Sequence, residues 1–183
     1  ARPSSMCGIN AIANFSRRAA EAGAGAEAEA LRAMNAALAH RGPDGMGSWG
    51  SSGEGEGGWC LLGSTRLSIT GVGADGDMPQ CVRAGGAELS IAFNGEVYNH
   101  AELRAELEAA GHSFRTRTDT EVLLLAYAEW GEQCVKRLRG MFAFVIYDGR
   151  SRRLFFARDP VGIKPLYHAA LPDGTLLLSS EPK

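Results

Sequence analysis

Apolar positions along this chain repeat with two different periods. Cys7 to Phe15 is a short run of apolar and small residues that suits a β-strand. From Glu27 to Ala39 alanine and leucine dominate, and Leu31, Met34 and Leu38 recur at i, i+3 and i+7, one face of a helix. The stretch His40-Arg41-Gly42-Pro43-Asp44-Gly45 ends that helix with two turn signals in succession. Trp59–Ser64 and Arg66–Thr70 read as short strands, as does Leu89–Phe93, which runs into Asn94-Gly95-Glu96. Asn99 predicts the cap of a helix over Ala101–Ala110, with Glu102 three residues on and Gly111 as its stop. Thr118-Asp119-Thr120-Glu121 is a fuller capping box, opening a helix over Val122, Leu125, Ala126 and Glu129 that stops at Gly131. A short helix is expected around Val135–Leu138. Met141–Tyr147 is continuously apolar, and a turn at Asp148-Gly149 leads into Arg153–Ala157, which predicts a hairpin. Leu176–Ser179 supplies a last strand. Arg17–Gly25, Ser51–Gly58 and Gly71–Gln80 read as loops. The whole is α+β, with antiparallel strands and helices in the middle.

Composition narrows the function. A chain of 183 residues makes one domain, long enough to bury a sizeable core. A net charge of −2 gives no reason to expect nucleic acid, whose binders are normally basic. No apolar run approaches the ~20 residues of a membrane span, and no leader-like stretch opens the chain. Cys7, Cys60, Cys81 and Cys134 are far apart with no CxxC, which fits reduced thiols in the cytoplasm. His40, His100, His112 and His168 show no HxxxH spacing, so no metal site is expected. Gly71-Val72-Gly73-Ala74-Asp75-Gly76 matches G-x-G-x-x-G, but Asp77-Met78-Pro79 follows where a dinucleotide site needs a helix.

The start of the chain carries the candidate chemistry. Ala1–Met6 reads as an appendage, a tag or pro-segment. If Met6 is removed, Cys7 holds a thiol and a free α-amine on one residue. That amine titrates at roughly 7.7–8.0 and can serve as the thiol's base. Taken singly, the same residues have plainer uses. Cys7 fits an inert core thiol, Asn94-Gly95 a hairpin turn, Arg66 an exposed strand position, and Asp119 a first-turn helix charge.

Together they form a pattern. Cys7 is followed by Arg41-Gly42-Pro43-Asp44, Arg66-Leu67-Ser68-Ile69, Asn94-Gly95-Glu96-Val97-Tyr98-Asn99 and Thr118-Asp119-Thr120-Glu121. Gly140-Met141-Phe142-Ala143-Phe144, the run Arg158-Asp159-Pro160-Val161-Gly162-Ile163-Lys164-Pro165-Leu166-Tyr167, and Ser179-Ser180-Glu181 complete it. From Met6 to the end, the chain resembles the class II glutamine amidotransferase domain, most like the N-terminal glutaminase half of asparagine synthetases. These are N-terminal nucleophile (Ntn) hydrolases. The resemblance implies a four-layer αββα sandwich of antiparallel sheets over residues 7–183. It implies hydrolysis of the L-glutamine side-chain amide by Cys7 through a glutamyl thioester. Asn94 and Gly95 are then the oxyanion hole, Arg66 the partner of the substrate's carboxylate, and Asp119, supported by Glu96, that of its ammonium. Arg41–Asp44 receives no chemical role. No cofactor is implied, and the ammonia goes to an ATP-dependent synthetase domain or subunit. The chain lacks that domain's S-G-G-x-D-S pyrophosphate loop. Two other readings remain open at this point: an Ntn amide hydrolase or acyl transferase with another substrate, and a silent partner-binding domain in which Cys7 is blocked.

Overall fold

In the computed structural model, which describes residues 7–16, 19, 25–51, 58–67 and 76–182, the first strand β1 (Gly8–Asn14) becomes the middle of a sheet. The helix α1 (Gly25–Ala37) follows, then β2 (Gly45–Gly50) and β3 (Trp59–Arg66). Next come β4 (Gln80–Ala84), β5 (Ala87–Val97), α2 (His100–Ala109) and α3 (Asp119–Trp130). A 3-10 turn over Gly131–Lys136 leads to β6 (Gly140–Asp148), β7 (Arg153–Arg158), β8 (Tyr167–Ala170) and β9 (Leu176–Ser179). One sheet has the order β2-β3-β1-β9-β8 and the other β4-β5-β6-β7, and every pairing between these strands is antiparallel.

The layering follows from the two-residue period of the strands. Every residue of β1 is buried, because both of its faces are covered. Ile9, Ala11 and Ala13 pack with Cys60 and Leu62 of β3 against Ala92 of β5 and Ala143 and Val145 of β6. Ile12 points the other way and joins Trp59, Leu61 and Leu31 under α1. On the far side of the second sheet, Leu89, Ile91 and Phe93 of β5 meet Leu103 and Leu107 of α2 and Val122–Ala126 of α3. Helix, sheet, sheet and helices make the expected four-layer αββα sandwich.

Three strands were not expected from the sequence: β2, β4 and β8. All three are outer strands of their sheets. An outer strand needs no regular apolar face, and β2 is half glycine while β8 is exposed at every position. Asn94-Gly95 is not a turn. β5 runs straight through it, with Asn94 opposite Ala143 and Gly95 opposite Phe142. Asn99 precedes α2 as expected, but its side chain makes no cap bond. It reaches instead to the entry of β6, donating to the Arg137 carbonyl and accepting from the Arg139 N–H, both at 2.9 Å. At α3, Thr118 Oγ1 accepts from the Glu121 N–H as predicted. Glu121 turns its carboxylate to the N–H groups of Arg115 and Thr116 rather than back to Thr118. The helix expected over Val135–Leu138 is the 3-10 turn, placed a few residues earlier. The appendage Ala1–Met6 and most of the three expected loops lie outside the described residues, as do Ser68–Thr70 of the second expected strand. No helix among the described residues is long and apolar enough to cross a membrane.

A buried polar pair fastens α1 to the sheet. Asn10 Nδ2 donates to Asn35 Oδ1 at 2.9 Å, and Asn35 Nδ2 reaches the Gly47 carbonyl and Ser48 Oγ at 3.3 Å. Asn35→Ala strands the Asn10 amide in a closed layer. Such an orphan costs about 1–3 kcal/mol. The expected result is a lower midpoint of urea unfolding with an unchanged slope; an unchanged midpoint would show that the pair carries no weight.

Candidate active site

Cys7 lies one residue before β1 begins and two before Ile9, which packs in the slot between the sheets. Its backbone is fixed on all sides. The Gly8 N–H donates to Thr65 Oγ1 at 3.1 Å, and the Ile9 N–H to Ser180 Oγ at 3.0 Å. Arg41 Nε donates to the Cys7 carbonyl at 3.4 Å, while Arg41 Nη1 pairs with Glu181 at 2.9 Å. His40 Nε2 meets the same Glu181 oxygen at 3.0 Å. Arg41–Asp44 thus has a positioning task that sequence reasoning did not assign. Gly42 allows it, since a Cβ there would lie 2.4 Å from the Arg66 backbone nitrogen. The Cys7 sulfur itself lies 3.5 Å from the Leu67 N–H, which donates to it.

Asn94 lies on the face of β5 that looks into the same slot, two residues beyond Ala92. Its side chain is 1% exposed, and Nδ2 has no hydrogen-bond partner among the described residues. A buried donor left open in this way is poised for an acceptor that enters the site. The direction of the Gly95 N–H follows from register. Tyr98 N–H donates to Arg139 O and Gly149 N–H to Glu88 O, so even-numbered positions of β5 exchange the bonds with β6. Phe142, opposite Gly95, commits its own N–H and carbonyl to Asp159. The N–H groups of Gly95 and Val97 therefore point away from β6. β4 has already stopped there, since its first residue, Gln80, pairs with Ile91. A side chain at position 95 has no room, because a Cβ would sit 2.2 Å from the Met141 carbonyl oxygen.

Asp119 opens α3 and is tied to this open strand end: its Oδ2 accepts the Val97 N–H at 2.8 Å. Burial pushes its carboxyl above the ordinary range, the Val97 N–H and His100 pull it back, and the charge of Glu96 adds to the rise. Glu96, on an exposed position of β5, is thus close enough to Asp119 for its charge to be felt. Arg66 ends β3, next to Leu67 and the Cys7 sulfur. Its Nη1 pairs at 2.9 Å with Asp77, a carboxylate that sequence reasoning treated only as loop; the Asp77 side chain is 75% exposed. Gly76 lets the guanidinium lie flat against the chain, since a Cβ would be 2.4 Å from Nη2.

Lys164 joins the two halves. It is 6% exposed, and the charges it feels are those of Cys7 and Arg41 from one side and Asp159 and Glu96 from the other. Burial holds its ammonium below the ordinary lysine range and Arg41 adds to the fall, while Cys7, Asp159 and Glu96 act the other way. The sequence signal for it was present in Asp159-Pro160-Val161-Gly162-Ile163-Lys164, which had received no role.

A family model described as glutamine amidotransferase domain matches residues 6–183. Asparagine synthetase [glutamine-hydrolyzing] 1 of Bacillus subtilis (strain 168) is 41% identical over 175 residues, covering 92% of this chain and 25% of that protein. The asparagine synthetase [glutamine-hydrolyzing] of Asparagus officinalis is 40% identical over 180 residues, covering 97% of this chain and 28% of that protein. The chain spans about a quarter of the length of the curated relatives it matches. Among solved structures, the B. subtilis glutamine phosphoribosylpyrophosphate amidotransferase superposes over 96% of this chain and 42% of its own, with a TM-score of 0.72 and 24% identity. That likeness establishes the fold.

The raised carboxyl of Asp119 has a stability consequence. The folded chain holds that proton more tightly than the unfolded chain does. The stabilisation is therefore complete below the unfolded value and lost as the pH rises through the folded one. At neutral pH the ionised, buried Asp119 is a net cost. Asp119→Asn is expected to raise the melting temperature at pH 7 by roughly 1–3 °C, with the advantage shrinking near pH 4; a lower melting temperature at pH 7 would contradict the assignment.

Proposed function

Because this chain belongs to the glutamine amidotransferase domain family, we propose that residues 7–183 form a glutaminase in which Cys7 attacks the side-chain amide of L-glutamine. The observation that carries the reading is the buried, open Nδ2 of Asn94, two residues beyond Ala92 in the layer between the sheets, the layer that Ile9, two residues after Cys7, enters from the other sheet. Beside it the Gly95 N–H points where no described strand accepts it. Two preorganised donors of this kind are what a tetrahedral oxyanion requires.

The chemistry closes without a cofactor. With Met6 removed, the α-amine of Cys7 takes the thiol proton. The sulfur bonds to the amide carbon, and the negative oxygen is held by Asn94 and Gly95. The carbon–nitrogen bond then breaks, the nitrogen takes the proton from the ammonium of Cys7, and ammonia leaves a glutamyl thioester. Water attacks the thioester carbon and gives a proton to the amine, the carbon–sulfur bond breaks, the Cys7 sulfur takes that proton back, and glutamate leaves. Arg66 grips the substrate's α-carboxylate, where a guanidinium can bind both oxygens. Asp119, with Glu96 beside it, receives the α-ammonium. The need for a free amino acid at both ends speaks against a general amide hydrolase.

The ammonia passes to an ATP-dependent synthetase domain or subunit. The printed names of the relatives, asparagine synthetases that hydrolyse glutamine, support this, as does the fraction of their length that the chain spans. All four cysteines are free, which fits a cytoplasmic setting.

The test is glutamine hydrolysis by protein whose intact mass shows Cys7 at the terminus. Cys7→Ala should abolish glutamate release without loss of fold, and Asn94→Ala should lower kcat by about 10²–10³-fold. Full activity in Cys7→Ala would sink the reading. Comparable turnover of amides that lack the α-carboxylate would transfer the site to another substrate. A silent protein with a free Cys7 amine would leave only partner binding.

A further inference from the structure

β7 stops at Arg158, and a side chain carries its ladder one step further. Arg158 pairs with Ala143 of β6. The next step would join Asp159 to Phe142. Half of that step is ordinary: the Asp159 N–H donates to the Phe142 carbonyl at 2.8 Å. The other half is not. The Asp159 carbonyl has turned into the following loop, where it accepts the Gly162 N–H at 2.9 Å. The Phe142 N–H, which a continuing strand would give to that carbonyl, goes to Asp159 Oδ2 at 3.3 Å. The same carboxylate gathers the loop: Oδ1 accepts the Ile163 N–H at 2.9 Å and Oδ2 the Lys164 N–H at 3.0 Å. Asp159 is 2% exposed, and N–H bonds to an ionised carboxylate are among the stronger ones.

Phe142 is the residue of β6 that lies opposite Gly95. Here the two strands meet backbone on backbone. A Cβ on Gly95 would lie 2.2 Å from the Met141 carbonyl oxygen and 2.6 Å from the Phe142 Cα. On the facing strand, a Cβ on Gly140 would lie 2.1 Å from the Glu96 carbonyl oxygen and 3.2 Å from the Val97 Cα. With no side chain between them, the place of Phe142 sets the place of Gly95. β4 reaches no further along β5 than Ile91, so no described strand braces Gly95 from its other flank. The bracing comes through β6, and at the level of Phe142 it comes from Asp159.

We propose that Asp159 is a positioning residue of the oxyanion hole: its carboxylate stands in for a missing strand carbonyl, fixes Phe142, and through Phe142 aims the Gly95 N–H. This rests on the reading of Asn94 and Gly95 as the donors to the oxyanion. It adds to that reading a residue that acts from behind the strand, on the far side of Phe142.

The test, on the full chain with Cys7 at its terminus, separates chemistry that makes an oxyanion from chemistry that does not. Glutamine hydrolysis passes through one. Alkylation of the Cys7 thiolate by iodoacetamide forms a carbon–sulfur bond, expels iodide and makes none. Asp159→Ala should lower kcat for glutamine by about 10–100-fold, short of the loss on removing a whole donor, with KM changed less than about threefold. Its Cys7 peptide, followed by mass spectrometry, should still be alkylated at the wild-type rate. Asp159→Asn is the conservative variant. Its amide oxygen in the place of Oδ2 keeps the bonds to Phe142 and Lys164 and gives up the one to Ile163, so it should restore most of the lost kcat. Wild-type kcat in Asp159→Ala overturns the proposal. So does an equal fall in hydrolysis and alkylation, which marks a merely structural role, and so does a loss that Asp159→Asn fails to restore. If Asp159→Ala does not fold, Asp159→Ser, whose hydroxyl is too short to meet the Phe142 N–H, is read by the same criteria. Hydrolysis by the wild type is scored first. A wild type that does not hydrolyse glutamine overturns the glutaminase reading and this proposal with it; hydrolysis indifferent to Asp159 overturns the proposal alone.

Discussion

The two sheets pack face to face over a layer in which alanines mix with Ile9, Leu62, Val145 and Leu178, and the site depends on that packing. Ala11 and Ala13 of β1 face Ala92 of β5 and Ala143 of β6, with the bulky residues Trp49, Tyr147 and Phe156 kept to the margin of that layer. Stacked sheets usually lie about 10 Å apart, and larger residues in this layer would force them apart or off their rotamers. The candidate groups come from both sides of the gap. Cys7 and Arg66 belong to one sheet, Asn94, Gly95 and Glu96 to the other, and Asp119 is tied to the second through Val97. No single element carries the chemistry. What assembles it is the packing of the two sheet faces on each other.

The site also lies where hydrogen-bond ladders run out. Cys7 precedes β1, Arg66 ends β3, and Gly95 to Val97 extend β5 beyond its partner β4. At such ends the backbone keeps donors that a continuous sheet would consume. The Val97 N–H is given to Asp119 and that of Leu67 to the Cys7 sulfur. Irregular segments then supply what the strands cannot: the turn at Gly42 steadies the Cys7 backbone, and the loop on Asp159 brings in a cation.

Much of this was legible in the sequence, and the failures have physical causes. Inner strands such as β1, β5 and β6 must be apolar on both faces, so they announced themselves. The outer strands β2, β4 and β8 are free of that demand and were missed. Asn94-Gly95 reads locally as a turn, and only its pairing with Ala143 and Phe142 shows that it is strand. Asn99 has the right residue type for a cap, but the Arg137 and Arg139 backbone competes for its amide and wins. The site residues Cys7, Arg66, Asn94, Gly95, Glu96 and Asp119 were named from the family pattern. Arg41, Asp77 and Lys164 were not given roles, because the contacts that reveal them, such as those of Arg41 with Cys7 and Glu181 and of Asp77 with Arg66, follow from the folded chain and leave no trace in residue spacing.

The ion pair between Arg66 and Asp77 has a thermodynamic consequence on the proposed reading. The guanidinium does not wait for substrate in bare water; it already holds a carboxylate of its own chain. Capture of an amino acid at Arg66 is then an exchange of one carboxylate for another, with the number of ion pairs conserved. An exposed pair such as this contributes little stability, so its release is cheap, yet it cancels most of the dependence of capture on ionic strength. It also sets a toll that neutral amides cannot meet, since they have nothing to offer in place of Asp77. The discrimination would come from the resting state of the site, before any bond to the substrate is touched.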